Sequence, residues 1–184
     1  MPAFVAGSAS RTADSFSRSG MKGETTAPYD SQHALPARTA MSGYARPELL
    51  ASAEWLADNI GRPGLRVLDV RWRPDGTGHA AYLAGHIPSA VHLDWATDLV
   101  EPSDPSGLYV LAGPEHVGSA LSRAGVGDGT TVVLYDDMAA LFSSRVWWSL
   151  RVYGFESARI LDGGYGAWVG EGRQISNART APER

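Results

Sequence analysis

Apolar and polar positions fall into register from Pro47 onward, where short apolar runs alternate with amphipathic stretches. Ser52 is placed to cap a helix over Ala53–Ile60, with Trp55, Leu56 and Ile60 on one face. Gly61-Arg62-Pro63-Gly64 breaks it, and Leu65–Val70 then reads as a buried strand. His79–Leu83 suits a short helix stopped at Gly85, Pro88 prevents its return, and Ala90–Leu93 is a second short strand. Residues 100–113 are rich in Pro and Gly and carry no period. Pro114 opens a helix to Arg123 that turns Val117, Ala120 and Leu121 inward and ends at Gly125 and Gly127. Thr130–Tyr135, after a Gly-Asp-Gly turn, is the strongest strand in the chain. A helix over Ser143–Val152, a strand over Ala158–Leu161 and a helix from Gly163-Gly164 to Val169 complete the pattern. Strands alternating with helices predict an α/β fold, a central, mostly parallel sheet flanked by helices on both faces.

Residues 1–40 lack this order. Ser, Ala, Thr, Gly and Pro dominate, too little apolar surface to offset the entropy of ordering, and disorder is expected there. Two origins are open for this segment. It is a leader or a start placed too far upstream, with Met41 the natural beginning. Alternatively, its first half, Ser- and Arg-bearing with Asp14 as the single acid, is an organelle presequence. Nothing suits a secretory signal, and no run approaches the roughly 18 apolar residues of a membrane span. A cytoplasmic location without membrane association is therefore expected. Residues 175–184 have linker composition, which leaves one domain over residues 47–174.

Composition narrows the chemistry. The 184 residues carry a net charge of −4, so no global basic field gathers nucleic acid. There is no cysteine, which removes disulfides, thiolate metal sites and thiolate nucleophiles. The single lysine, Lys22, lies in the unpatterned leader, so neither a phosphate-loop lysine nor a Schiff base is available in the domain. No cofactor is implied.

Ligands of open parallel sheets bind beyond the carboxyl ends of strands, here after Val70, Leu93 and Tyr135. The third junction is the cleanest: Asp136-Asp137-Met138-Ala139-Ala140-Leu141-Phe142 leads directly into a helix containing Arg145. Its carboxylates suit a helix N-terminus and would repel an anion. No glycine interrupts the loop, so backbone N–H groups are not expected to close around an anion there. Asp136 as a loop cap is the plainer reading. A magnesium-binding carboxylate pair is disfavoured by the missing lysine. His79, His86 and His92 fall on a helix, a turn and a strand and are not expected to converge, so no metal site is expected. The Ser elbow of a hydrolase is absent, since the strand ends on Asp136.

Three segments carry a family resemblance. Val67-Leu68-Asp69-Val70-Arg71, Tyr82-Leu83-Ala84-Gly85-His86-Ile87-Pro88-Ser89-Ala90 and the stretch from Val152 through Arg159-Ile160-Leu161-Asp162-Gly163-Gly164-Tyr165-Gly166-Ala167-Trp168 resemble, in order and spacing, the rhodanese (thiosulfate sulfurtransferase) family over about residues 48–174. The resemblance implies a parallel sheet flanked by helices, and structural roles for Asp69, Arg71, Gly85, His86, Pro88, Gly163, Gly164 and Trp168. In that family, a cysteine after the central strand takes a sulfane sulfur from thiosulfate and passes it, as a persulfide, to cyanide or another thiophile. Backbone N–H groups of the loop stabilise the anionic sulfur. Asp136 stands at the cysteine position here, so the resemblance implies no catalytic residue. Asp136, Asp137, Met138, Ala139, Ala140, Leu141 and Arg145 form an inactive counterpart of the active loop. The Arg145-Val146-Trp147-Trp148 helix and the Ser52-Ala53-Glu54-Trp55-Leu56 opening are similar to the non-catalytic first half of tandem-domain sulfurtransferases. The implied partner is a cysteine-bearing second domain, in cis or in trans; a stand-alone module that binds another protein is the alternative. A domain built to pack on another should expose an apolar patch, with Trp147 and Trp148 either divided between core and surface or both half-buried.

Overall fold

The computed structural model describes residues 43–106 and 109–180; the leader of residues 1–40 lies outside them. A single 3-10 turn, Pro47–Leu49, leads into β1 (Leu50–Ala51) and α1 (Ala53–Asn59), followed by β2 (Leu65–Asp69), α2 (Gly78–Ala84) and β3 (Val91–His92). Then come α3 (Trp95–Asp98), α4 (Pro114–Arg123), β4 (Thr131–Tyr135), α5 (Leu141–Val152), β5 (Ala158–Leu161) and α6 (Gly164–Gly170). The five strands are parallel, in the order β1-β5-β4-β2-β3. The α/β architecture expected from the alternation of strands and helices is present. Two elements escaped the pattern: β1, only two residues long, and α3, a single turn capped by the Asp94 side chain on the Ala96 N–H. Ser52 caps α1 through the Trp55 N–H, 3.0 Å away. The irregular stretch 100–113 is tied at its ends by a Val100–Leu111 bridge.

Alternation along the central strands divides the core in two. Val132 and Leu134 of β4 join Leu68, Val117, Val146 and Leu150 beneath α4 and α5. Val133 and Tyr135 point the opposite way, onto Leu56 of α1, Trp168 of α6 and Leu161. Burial on both faces is why β2 and β4 read as continuous apolar runs.

The segment after α6 does not leave the domain at once. The Trp168 indole N–H donates to the Gln174 carbonyl (2.8 Å), and His86 and Ser176 exchange backbone hydrogen bonds of 2.8 Å each. Thr180 N–H then reaches the Tyr82 hydroxyl at 3.5 Å. The linker-like composition of residues 175–184 therefore coexists with a docked segment up to Thr180.

Gly164 shows why the Gly163-Gly164 pair is needed. Its φ is +57°, and a Cβ would sit 2.5 Å from the Asp136 carbonyl oxygen, which also accepts from the Tyr165 N–H at 2.8 Å. The opening of α6 is thus seated directly on the end of β4. Gly164→Ala should cost more than about 2 kcal/mol, because left-handed strain and a backbone clash add. Urea unfolding would check this; a loss within about 0.5 kcal/mol, the range of ordinary surface changes, would show that the contact relaxes freely.

Candidate functional site

At the carboxyl end of β4 the chain wraps around its own carboxylate. Asp136 is 1% exposed. One carboxylate oxygen accepts from the N–H groups of Met138 (2.9 Å) and Ala140 (3.0 Å). The other accepts from the N–H groups of Phe142 (2.9 Å) and Ser143 (2.7 Å) and from the Ser143 hydroxyl (2.9 Å). The expectation that a loop without glycine cannot close its N–H groups around an anion is overturned. Ala139 and Ala140 take left-handed φ values of +51° and +68°, and these turn the loop inward. Alanine in this region costs about 1 kcal/mol per residue, which five charge-assisted hydrogen bonds can offset. The anion enclosed is internal, and it fills the space between the donors and the first turn of α5.

Asp136 and Asp137 diverge. Asp137 forms a two-pronged pair with the Arg73 guanidinium (2.6 and 3.0 Å), and the bond to Asp137 raises Arg73 above its ordinary pKa. The two carboxylates therefore do not share a cation between them. Arg145 lies one turn into α5, donates to the Tyr109 carbonyl at 2.6 Å and stacks over the Trp148 ring at 5.0 Å. Met138 and Leu141 are exposed at the rim. Sequence reasoning missed Ser143, which supplies two of the five bonds, and Arg73. It also missed an aromatic group beside the loop, in which the rings of Trp72, Trp95 and Phe142 lie 5.4–5.8 Å apart. A serine in the first turn of the helix after the strand was the available signal for the first.

Beneath this loop lies a buried polar network. Asp69 and Arg71 pair at 2.6 Å, both almost fully buried. The Tyr135 hydroxyl donates to Asp69 (2.6 Å) and accepts from the Ile87 N–H (3.2 Å). Arg71 also donates to the Gly85 carbonyl (2.8 Å), and its guanidinium covers the Tyr165 ring at 4.1 Å. Burial works to lower the Arg71 pKa, but the hydrogen bond and charge of Asp69 outweigh it, and the pKa ends raised. Burial pushes the Tyr135 phenol well above its ordinary value, with the Asp69 charge and bond adding to the rise. His86 is buried, its Nδ1 2.9 Å from the Tyr82 carbonyl. Gly85 faces the Tyr165 hydroxyl, 3.1 Å from where a Cβ would stand. Pro88 is half-buried in the turn before β3, and Trp168 is buried in the second core.

The residues 52–171 match the model of the rhodanese-like domain. The chain belongs to the rhodanese family. It is 35% identical over 144 residues to thiosulfate sulfurtransferase of Bos taurus, a match covering 73% of this chain and 47% of that protein. It is 38% identical over 143 residues to the putative thiosulfate sulfurtransferase SseB of Mycobacterium tuberculosis, covering 76% of this chain and 50% of that protein. The crystal structure of SseA from Escherichia coli, a 3-mercaptopyruvate sulfotransferase, is similar with a TM-score of 0.67 at 30% identity, over 73% of this chain and 53% of that one. The rhodanese-like domain here is thus of the sulfurtransferase type. The chain spans about half the length of the curated relatives it matches.

One expectation about the histidines is corrected. His79 and His92 do converge, with ring centroids 5.1 Å apart, because the β2–α2–β3 crossover lays the first turn of α2 beside the end of β3. Tyr82 stacks on His86 at 4.0 Å in the same group. Among the described residues no group of three or more His, Asp or Glu side chains is placed to hold a metal ion, and no helix is long and apolar enough to cross a membrane.

Two outcomes are expected. Asp136→Ala should lower stability by about 3 kcal/mol, since several N–H donors lose a charged acceptor at once. Amide exchange at Met138, Ala140, Phe142 and Ser143 should accelerate with it. A loss below about 1 kcal/mol would show that the loop holds its shape without the carboxylate. For Tyr135, the folded state keeps a proton that the unfolded chain releases, so its contribution is intact below about pH 10 and is lost as pH rises beyond it. Tyr135→Phe should flatten the alkaline fall in stability while costing stability at neutral pH; an unchanged alkaline slope in urea titrations would count against this assignment.

Proposed function

We propose that this domain is the cysteine-less supporting half of a sulfurtransferase of the thiosulfate type, working beside a cysteine-bearing second domain supplied in cis or in trans. The observation that carries this reading is the Asp136 carboxylate itself, seated among the N–H donors of the loop in a chain with no cysteine. In the rhodanese mechanism such donors stabilise an anionic sulfur. A carboxylate oxygen cannot hold a sulfane sulfur as a usable persulfide. Here the donors are already saturated by a group that is not released, so the loop keeps its shape without offering a nucleophile.

A face for the second domain is available on α5. Leu141, Trp148 and Val152 recur at one helical face and are all about half exposed, while Trp147 turns inward and donates to the Ala158 carbonyl at 3.1 Å. Arg145, between Leu141 and Trp148, extends the face toward Tyr109 and Val110, which are exposed as well. Apolar stripes of this kind suit a permanent partner.

The test pairs sequence with assay: the DNA is read beyond the codon for Arg184 and the rest of the genome is searched for a rhodanese-like domain with a cysteine after its central strand. Thiocyanate formation from thiosulfate and cyanide is then measured with and without that domain. The chain alone should be inactive, the combination active, and Trp148→Asp should weaken the gain at least tenfold. Turnover by the chain alone, or failure of any cysteine-bearing domain to bind it, would overturn the reading. Binding of a protein without such a cysteine on the same α5 face would favour the alternative, a stand-alone binding module.

A further inference from the structure

A cavity of about 180 Å³ opens at the outer edge of the sheet, away from the Asp136 loop. His79 and Tyr82 line it from α2, Val91 and His92 from β3, and Arg179 and Thr180 from the docked C-terminal segment. His92 ends β3, and its Nε2 lies 3.2 Å from the Arg71 carbonyl just beyond β2. The cavity therefore sits at the carboxyl ends of two parallel strands, the end of an α/β sheet where ligands are held.

Its lining is one-sided in charge. Arg179 brings a permanent positive charge, and among the described residues it has no carboxylate partner; no carboxylate lines the cavity either. The Arg71 carbonyl can only accept, so the hydrogen on neutral His92 resides on Nε2, and this ring lines the cavity without a free N–H for an anion. His79, with its ring 5.1 Å from that of His92, presents a second imidazole. Thr180 contributes a hydroxyl, while its N–H donates to the Tyr82 hydroxyl. A guanidinium among these groups repels a metal cation and matches two oxygens of an anion in its planar fork. The arrangement is also positioned rather than loose. The Gln174 and Ser176 backbone bonds described above hold the C-terminal segment across α2 and bring Arg179 to the rim.

We infer that this cavity binds a small divalent oxyanion of the phosphate or sulfate class, held by the Arg179 guanidinium with the His79 ring and the Thr180 hydroxyl as further donors. The site shares no residue with the Asp136 loop and does not depend on the function proposed for it. Binding ties the C-terminal segment to α2 and β3, so the segment's amides should become more protected from exchange when the anion is bound.

The test is an amide and imidazole NMR titration of the full chain with inorganic phosphate and, in a separate arm, with sulfate, each at ionic strength held constant with chloride. Saturable shifts confined to Val91, His92, Thr180 and the His79 ring are expected in at least one arm, and the two arms decide which anion is preferred. Arg179→Ala should weaken that affinity at least tenfold, and His79→Ala should weaken it as well. Thermal unfolding of Arg179→Ala should be unchanged, since the side chain is exposed. Shifts that never saturate in either arm, or an affinity unaltered by Arg179→Ala, would overturn the assignment.

Discussion

The Asp69–Arg71 ion pair is the contact on which the other parts of this domain converge. A buried pair contributes little net stability compared with apolar packing, because both ions lose their water, but removing either partner leaves an unpaired charge and costs several kcal/mol. That asymmetry makes the pair a strong constraint on geometry. Asp69 ends β2 and takes the Tyr135 hydroxyl from the end of β4, while Arg71 takes the Gly85 carbonyl and covers Tyr165 of α6. The three segments that carry the family resemblance are thereby joined to one buried charge pair. Their order along the chain is separated by up to a hundred residues, yet their contacts lie within one layer beneath the loop.

The Asp136 loop sits on that layer and uses the same physics in a simpler form. Its donors are backbone N–H groups aimed at one point, and such an arrangement stabilises any anion placed there. The carboxylate of Asp136 occupies the point permanently and connects the end of β4 to the start of α5. Gly164 closes the arrangement from the other side, since the backbone of Asp136 approaches too near for any side chain at that position. The donors of the loop are therefore occupied by a carboxylate, and among the described residues an apolar stripe along α5 stays exposed.

Much of the fold was legible because burial on both faces of a parallel sheet writes itself into the chain as apolar runs. Leu65–Asp69 and Thr131–Tyr135 were readable for this reason, and so were the helices opened by Ser52 and Pro114. β1 was not, because two residues carry no period, and neither was α3, a single turn held by the Asp94 cap. In the site, Asp136 was identifiable from its place after the central strand. The closed loop was not, because Ala139 and Ala140 adopt left-handed backbone that their identity disfavours and only the carboxylate's hydrogen bonds repay. Arg73 on Asp137 is a pairing across sixty-four positions that no local pattern encodes.

By itself the sequence determined the alternation of strands and helices, the absence of a thiolate, the family motifs and the position of the aspartate that follows the central strand. These are properties of residue type and spacing, which act locally or by exclusion. The tertiary structure alone decided that Trp148 faces solvent while Trp147 is half-buried, that Asp136 is enclosed while Asp137 leaves for Arg73, and that His79, His92 and Arg179 meet around one cavity. Each of these depends on which elements the crossovers bring side by side, and that proximity is settled by packing across the sheet rather than by neighbours in the chain.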